Sequence, residues 1–326
     1  MSLTITPIGA TEIEQTTQPF YLPGFASQQL GKPGVFLGIE SQRMELKDPV
    51  DRAVLDNLLL GKSPNGTSQP GGIWRSADQP VGWKITFDLD WRHNTVWALG
   101  NEEIHHLADF HHAVSVKNTV EQLDQVLRRA AGFEAKDRVG AVFACFQSGT
   151  GEGQVPGLRS TIIVPQGHLR DDGGVMTFPA EVFSKIQARL FQAYLCEFVP
   201  RAVDSFGSVG APTAKVPKGL FKPLAQDPFI AGAAAKEGNL IFSGEDIFTQ
   251  WKRQAEKHGF GEGEFNDMLH HARQHARSYY KPLDPEVPGA GDLFKGLAQK
   301  LWAYCLSPNS QMEPQREHTQ AHRPSM

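Results

Sequence analysis

Hydrophobic and polar positions change period several times along the chain, and each change marks an element. Apolar or alternating runs bounded by turn residues predict strands over about 82–88 (GWKITFD), 139–147 (VGAVFACFQ), 158–165 (LRSTIIVP) and 173–177. The second and third are joined by SGTGEGQVPG, whose glycines and proline predict a hairpin connection. Helical spacing runs from about Asn101 to Ala131, carried by Ile104, Leu107, Phe110, Val114, Leu123, Val126 and Leu127. A second long helix is predicted from about Pro179 to Phe206 on the stripe Val182, Ile186, Leu190, Ala193, Tyr194 and Phe198, with Pro200 kinking it or ending it early. Shorter helices are expected over 49–60, 244–259, 262–280 and 292–306. Outside the first of these, residues 1–72 have little periodicity and read as irregular. The Pro-, Gly- and Lys-rich stretch 207–235 reads as an extended loop, and the polar stretch 307–326 as a disordered tail. The organisation expected is one domain over 1–285, with an irregular part (1–72), a core (73–206) and a helical part (236–285), then a C-terminal helix (286–306) and the tail.

Composition narrows the class. With 40% hydrophobic and 21% charged residues in 326, the chain is ordinary for a soluble globular protein. Cys145, Cys196 and Cys305 lack CxxC spacing and predict reduced thiols in a cytoplasmic protein. No signal-like segment and no window of roughly 20 apolar residues occurs, so no membrane role is expected. The formal net charge of −4 argues against a nucleic-acid binder that works by bulk charge. Arg43, Lys47, Arg52, Lys62, Arg75, Lys84 and Arg92 supply local cations, with acids interspersed.

Several chemical motifs weaken on inspection. His105, Asp109 and His112 share a helix face, as do Asp267, His271 and His275; helix-spaced polar residues of this kind read as solvated faces before they read as metal sites. The glycines of GTGEGQVPG open a strand and not a helix, so they form no phosphate-binding loop, and neither GxxxxGK[ST] nor GxSxG occurs. No cofactor is expected. Trp97 reads as core, whereas Trp91 beside Arg92 reads as an exposed surface on which unpaired bases can stack.

The order of these blocks carries more. KITFDLDWRHNTVWALG at 84–100, a helix containing His-His-Ala-Val at 111–114, and the hairpin FQSGTGEGQVPGLRSTIIV at 146–164 together resemble the relaxase domain of conjugative relaxases of the TrwC/TraI (MobF) type. In that family the corresponding blocks read like DLTFSAPKSVSxLWALG, AHxxAV and F-x-H, a short loop, then DPxLHTHVVV. The resemblance covers roughly residues 20–280. It implies an α+β fold in which a central antiparallel β-sheet is flanked by helices, a palm-like HUH arrangement with a cleft for single-stranded DNA and a hairpin-binding face.

The resemblance also implies a site, and this chain departs from it. The family holds a divalent metal with three histidines; their positions fall on Ser148, Arg159 and Thr161, and the family's acidic residue falls on Lys84. A hydroxyl is a poor ligand for a transition metal and a guanidinium repels one. Arg159 and Lys84 can instead meet a phosphate directly. The family's nucleophilic tyrosine has a weak counterpart in Tyr21, which reads first as a half-buried aromatic anchor. The expectation is a catalytically inactive relaxase relative that binds single-stranded or hairpin DNA of a plasmid or mobile element through Lys84, Trp91, Arg92 and Arg159. The alternatives are a protein-interaction subunit that partners an active relaxase or the conjugation machinery without binding DNA, and an active nickase using Tyr21.

Overall fold

Two hydrophobic layers, one on each side of a five-stranded sheet, fix the architecture. The computed structural model describes residues 1–22, 25–26, 29–67, 79–134, 139–169, 175–207, 219–222 and 244–279. Strands β1 (Ser2–Ile8), β2 (Lys32–Leu37), β3 (Gly82–Asp88), β4 (Phe143–Thr150) and β5 (Pro156–Pro165) form an antiparallel sheet in the order β1-β3-β5-β4-β2. Two short strands, β6 (Gly167–Leu169) and β7 (Val175–Thr177), pair as a separate ribbon. The helices are α1 (Ile13–Thr17), α2 (Ile39–Arg43), α3 (Arg52–Leu59), α4 (Trp91–Leu99), α5 (Glu102–Ala130), α6 (Ala180–Phe206), α7 (Gly244–Lys257) and α8 (Glu262–Tyr279).

Helices α4 to α8 supply the main core against Leu3, Ile85, Phe87, Phe143, Ile162 and Val164 of the inner sheet face. The N-terminal elements cover only part of the outer face, where Ile8, Phe36, Ala144, Phe146 and Ile163 meet Ile13, Leu55, Leu58 and Leu59. No helix of the described residues is long and apolar enough to cross a membrane. The chain divides into two units, Met1–Lys281 and Pro282–Met326. The helix expected at 292–306 and the tail at 307–326 lie outside the described residues, as does most of 207–235.

Local chemistry explains the long helices. The Asn101 side chain accepts a hydrogen bond from the Ile104 amide (3.0 Å), with Glu102 and Glu103 in the first turn of α5 and Arg128 and Arg129 in the last, each sign matched to the helix dipole. Three expectations need correction. Residues 1–72 are not irregular: they contribute β1 and β2, both edge strands of the sheet. Their exposed sides carry Ser, Thr and Pro, which blurs the strand pattern. Pro200 does not end α6, which continues to Phe206. A proline inside a helix costs about 3 kcal/mol, and the burial of Phe198, Ala202 and Phe206 on either side of it offsets that. Finally, α4 at Trp91–Leu99 falls where no helix was expected. Every residue from His93 to Leu99 is buried, so this helix has no amphipathic period to read.

The histidine face of α5 is packed and not solvated, a further correction. His112 is fully buried, with Nδ1 2.7 Å from the Tyr194 hydroxyl of α6 and Nε2 2.9 Å from the Ser160 hydroxyl of β5. Asp109 accepts from Lys32 Nζ (2.6 Å) and Gln147 Nε2 (3.1 Å), and the His105 ring stacks on Phe248 at 4.2 Å. Each member of the triplet therefore has a separate packing role. Asp267 and His271 lie on the exposed side of α8, the His275 side chain lies outside the described residues, and among those residues no group of three His, Cys, Asp or Glu could hold a metal.

Burial, reinforced by the Lys32 charge, lowers His112 to a pKa of about 3 from 6.5. Burial, with Lys252 and His106, lowers His105 to about 4. Between these values and 6.5 the unfolded chain binds protons that the folded chain refuses, so stability falls as pH drops through that window. Asp124 acts in the opposite sense: burial raises it to about 6 from 3.8, so the folded state holds the extra proton between those values and gains stability as pH falls. The two histidines outweigh the one carboxyl. Urea unfolding at pH 7 and pH 5 is expected to show lower stability at pH 5, and His112→Gln to remove on the order of 2 kcal/mol of that difference.

Candidate functional site

The antiparallel register lays side chains of the outer face in transverse rows. At one end of the strands the row reads Ser2, Asp88, Arg159, Ser148. The next reads Thr4, Thr86, Thr161, Phe146, and the third Thr6, Lys84, Ile163, Ala144, Phe36. Because side chains alternate across a strand, all of these point to one side. The face thus grades from an open polar end to the apolar patch under α1 and α3. Ser2, Thr4 and Thr6 are exposed, whereas Thr161 is 7% exposed.

Ser148, Arg159 and Thr161, expected from sequence to share a site, therefore do share one face within two rows. Lys84 shares the face but not the place. It stands opposite Ile163, four residues along β3 from Asp88, or about 13 Å at the rise of a strand. The acid that sequence reading missed is Asp88. It pairs with the Arg159 guanidinium through Nε and also accepts from the Ser2 hydroxyl at 3.4 Å. Its signal was available, since KITFD places Asp88 an even number of residues from Lys84 and hence on the same face. A divalent cation does not fit this donor set: its hydroxyls are poor ligands, the guanidinium repels a cation, the Asp88 carboxylate is already paired, and among the described residues no group of three His, Cys, Asp or Glu could hold a metal.

The turn after β3 is rigidly tied to Arg159. The Asn94 side chain donates to the Leu89 carbonyl (3.2 Å) and accepts from the Leu158 amide (2.9 Å), joining α4 to the residue before Arg159. Asp90 caps α4, accepting from the amides of Arg92 and His93 at 3.1 Å each and lying 2.7 Å from His93 Nδ1. Burial opposes the ionised form of Asp90, but the hydrogen bonds and charge of His93 hold its carboxyl well below the usual range. Trp91 and Arg92, both partly exposed, follow directly; the Arg92 guanidinium sits 5.1 Å from the Trp91 ring centroid and occupies one face of that ring. Three other cations are already engaged: Lys32 by Asp109, Arg43 by Glu40, and Arg52 by Glu14 and Asp56.

Tyr21 reaches the same neighbourhood from the N-terminal segment. Phe20 stacks on Phe146, the register partner of Thr161, at 4.2 Å, and Tyr21 meets the same ring edge-on at 5.9 Å. The Tyr21 hydroxyl is buried without a hydrogen-bond partner among the described residues. Burial, and then the charges of Asp56 and Asp51, raise its pKa well above 10, which disfavours the phenolate a nucleophile needs. At the hairpin tip, Trp251 of α7 donates to the Gln154 carbonyl (2.9 Å) and packs against Trp97, so the β4–β5 connection is held from the helical side.

No protein-family model matches the chain, and no curated protein does. Solved structures do match. The metal-bound structure of the conjugative relaxase TrwC in complex with oriT DNA is 17% identical and superposes with a TM-score of 0.58, covering 79% of this chain and 99% of that one. The metal-free structure of the same complex gives 17% and 0.56 over the same shares, and a complex with mutant oriT DNA gives 18% and 0.53. The relaxase fold, with its central antiparallel sheet and flanking helices, is thus the fold of this chain, as its motif order implies.

Removing the unpartnered phenol oxygen should be harmless and removing the ring should not. Tyr21→Phe is expected to leave stability within about 1 kcal/mol of wild type or slightly above it. Tyr21→Ala is expected to lose about 2–3 kcal/mol in denaturant unfolding, from the lost contact with Phe146.

Proposed function

We propose that this chain is a relaxase-like DNA-binding protein that has given up metal-dependent cleavage and takes single-stranded or hairpin DNA on the polar end of its outer sheet face, in the transfer, replication or regulation of a plasmid or other mobile element. The observation that carries this reading is the row Ser2, Asp88, Arg159, Ser148, with Thr161 behind it, in which Ser148, Arg159 and Thr161 are the residues that motif order matches to the relaxase family's metal ligands. The fold it shares with a relaxase solved on oriT DNA supports it.

The chemistry suits a phosphate backbone. Guanidinium groups grip phosphate oxygens with paired donors, hydroxyls add neutral donors, and an ammonium such as Lys84 contributes a point charge. Arg159 and Lys84, spaced about 13 Å along the strands, would meet phosphates of different nucleotides. The partly exposed Trp91 ring would give an unpaired base a stacking platform. With a net charge of −4, binding must be local, and few counterions should be released. The Tyr21 phenol, buried and flanked by Asp51 and Asp56, supports the view that strand cleavage is not its work.

Binding of fluorescent single-stranded, hairpin and duplex DNA across a salt series tests the reading. Wild type should bind with a log–log salt slope of roughly −1.5 to −2 on single strands, as two to three neutralised phosphates predict. Lys84→Ala and Arg159→Ala should each weaken binding, and Lys84→Ala should flatten the slope by about 0.7. No binding by wild type at low salt sinks the DNA reading in favour of a protein-interaction subunit, the function to which the acidic net charge points.

A further inference from the structure

The carboxylate of Asp88 stands where an incoming phosphate must bind, and this inference rests on the DNA-binding reading above. We infer that Asp88 is a built-in competitor: it occupies Arg159 in the free protein, and a nucleic-acid phosphodiester binds there by displacing it. Three observations carry this. Asp88 and Arg159 are register partners on adjacent strands, so the pleat alone brings the two side chains together. The carboxylate is held at both oxygens, Oδ1 by Arg159 and Oδ2 by the Ser2 hydroxyl, which are the kinds of donor a phosphate would use. Both side chains remain reachable from solvent, Arg159 at 43% and Asp88 at 27% exposure, so exchange needs no opening of the core.

A purely structural role explains less. Strands β3 and β5 are already joined over seven register pairs, and Asn94 fixes the backbone beside Arg159, so the ion pair is not needed to hold the strands. Ion pairs this exposed contribute little net stability, and a ligand can replace the carboxylate at small cost. What the carboxylate does is set a threshold. A phosphate gains the guanidinium only by accepting an unpaired negative neighbour, so isolated anions are disfavoured against a strand that is also held at Lys84 and Trp91.

The test is a double-mutant cycle of Asp88→Asn, Arg159→Ala and both together, on single-stranded DNA across the same salt series, with thermal unfolding run beside it. Asp88→Ser serves as a second variant should the asparagine disturb the fold. Removing the carboxylate is expected to tighten binding roughly tenfold at low salt, the Coulomb effect of one charge beside a bound phosphate. It should also steepen the salt slope by about 0.7, as Arg159 becomes available to one more phosphate. On the Arg159→Ala background the tightening should shrink and the steepening vanish. If Lys84→Ala weakens binding as proposed while Asp88→Asn leaves affinity and slope unchanged or lowers them, the competitor role is wrong and the DNA reading stands. If wild type does not bind at low salt, the DNA reading fails and this inference falls with it.

Discussion

The pleat of the β-sheet governs everything at this site. Successive side chains on a strand point to opposite faces, and antiparallel register aligns them across neighbours. On β5 this separates Leu158, Ser160, Ile162 and Val164, which face the helices, from Arg159, Thr161 and Ile163, which face outward. One residue of slip would drive Arg159 into the layer of Phe87 and Tyr194 and expose Ile162. The same parity on β3 puts Lys84, Thr86 and Asp88 outside, so the Asp88–Arg159 pair follows from the alternation that builds the core.

Polar groups beneath the sheet then hold that register against the helices. His112, between the Tyr194 and Ser160 hydroxyls, ties α5 and α6 to the residue next to Arg159 from the inner side. Asn94 ties α4 to the residue on the other side of Arg159. A buried polar group without a partner costs 1–3 kcal/mol or so, and these bonds form only when strand and helices are in place. They therefore act as registration pins, and Arg159 sits between two of them.

The sheet strands at 82–88 and 158–165 and both long helices were legible in the sequence, because their apolar periods are clean and their caps, such as Asn101, are ordinary. The edge strands were not. In Ser2–Ile8 the buried positions are only Leu3 and Ile8, and the glycine and proline of Lys32–Leu37 imitate a loop. Helix α4 was hidden for the opposite reason, being buried on all sides. At the site, the gathering of Ser148, Arg159 and Thr161 could be read from motif order, whereas Lys84 was wrongly placed beside them. Adjacency in a motif block is adjacency along a strand, and four residues of strand span about 13 Å. The histidine face failed differently: polar residues at helical spacing were assigned to water, yet a second helix and a strand serine satisfy His112, an edge lysine satisfies Asp109, and His105 stacks on Phe248.

Exchanging a metal centre for an arginine changes the kind of work a site can do. A divalent ion polarises a phosphate oxygen and can lower the barrier to its displacement. A guanidinium supplies fixed charge and directional donors, which favour holding an intact diester. Cleavage by a tyrosine would also require the phenol to ionise, and here burial and two nearby carboxylates oppose that. Under the proposed function, the Arg159 guanidinium and the buried Tyr21 phenol both favour holding a diester over cutting it. On that reading the row of two hydroxyls flanking an arginine and an aspartate suits recognising a phosphate and then letting it go, since the Ser2 and Arg159 donors are ones that Asp88 already engages.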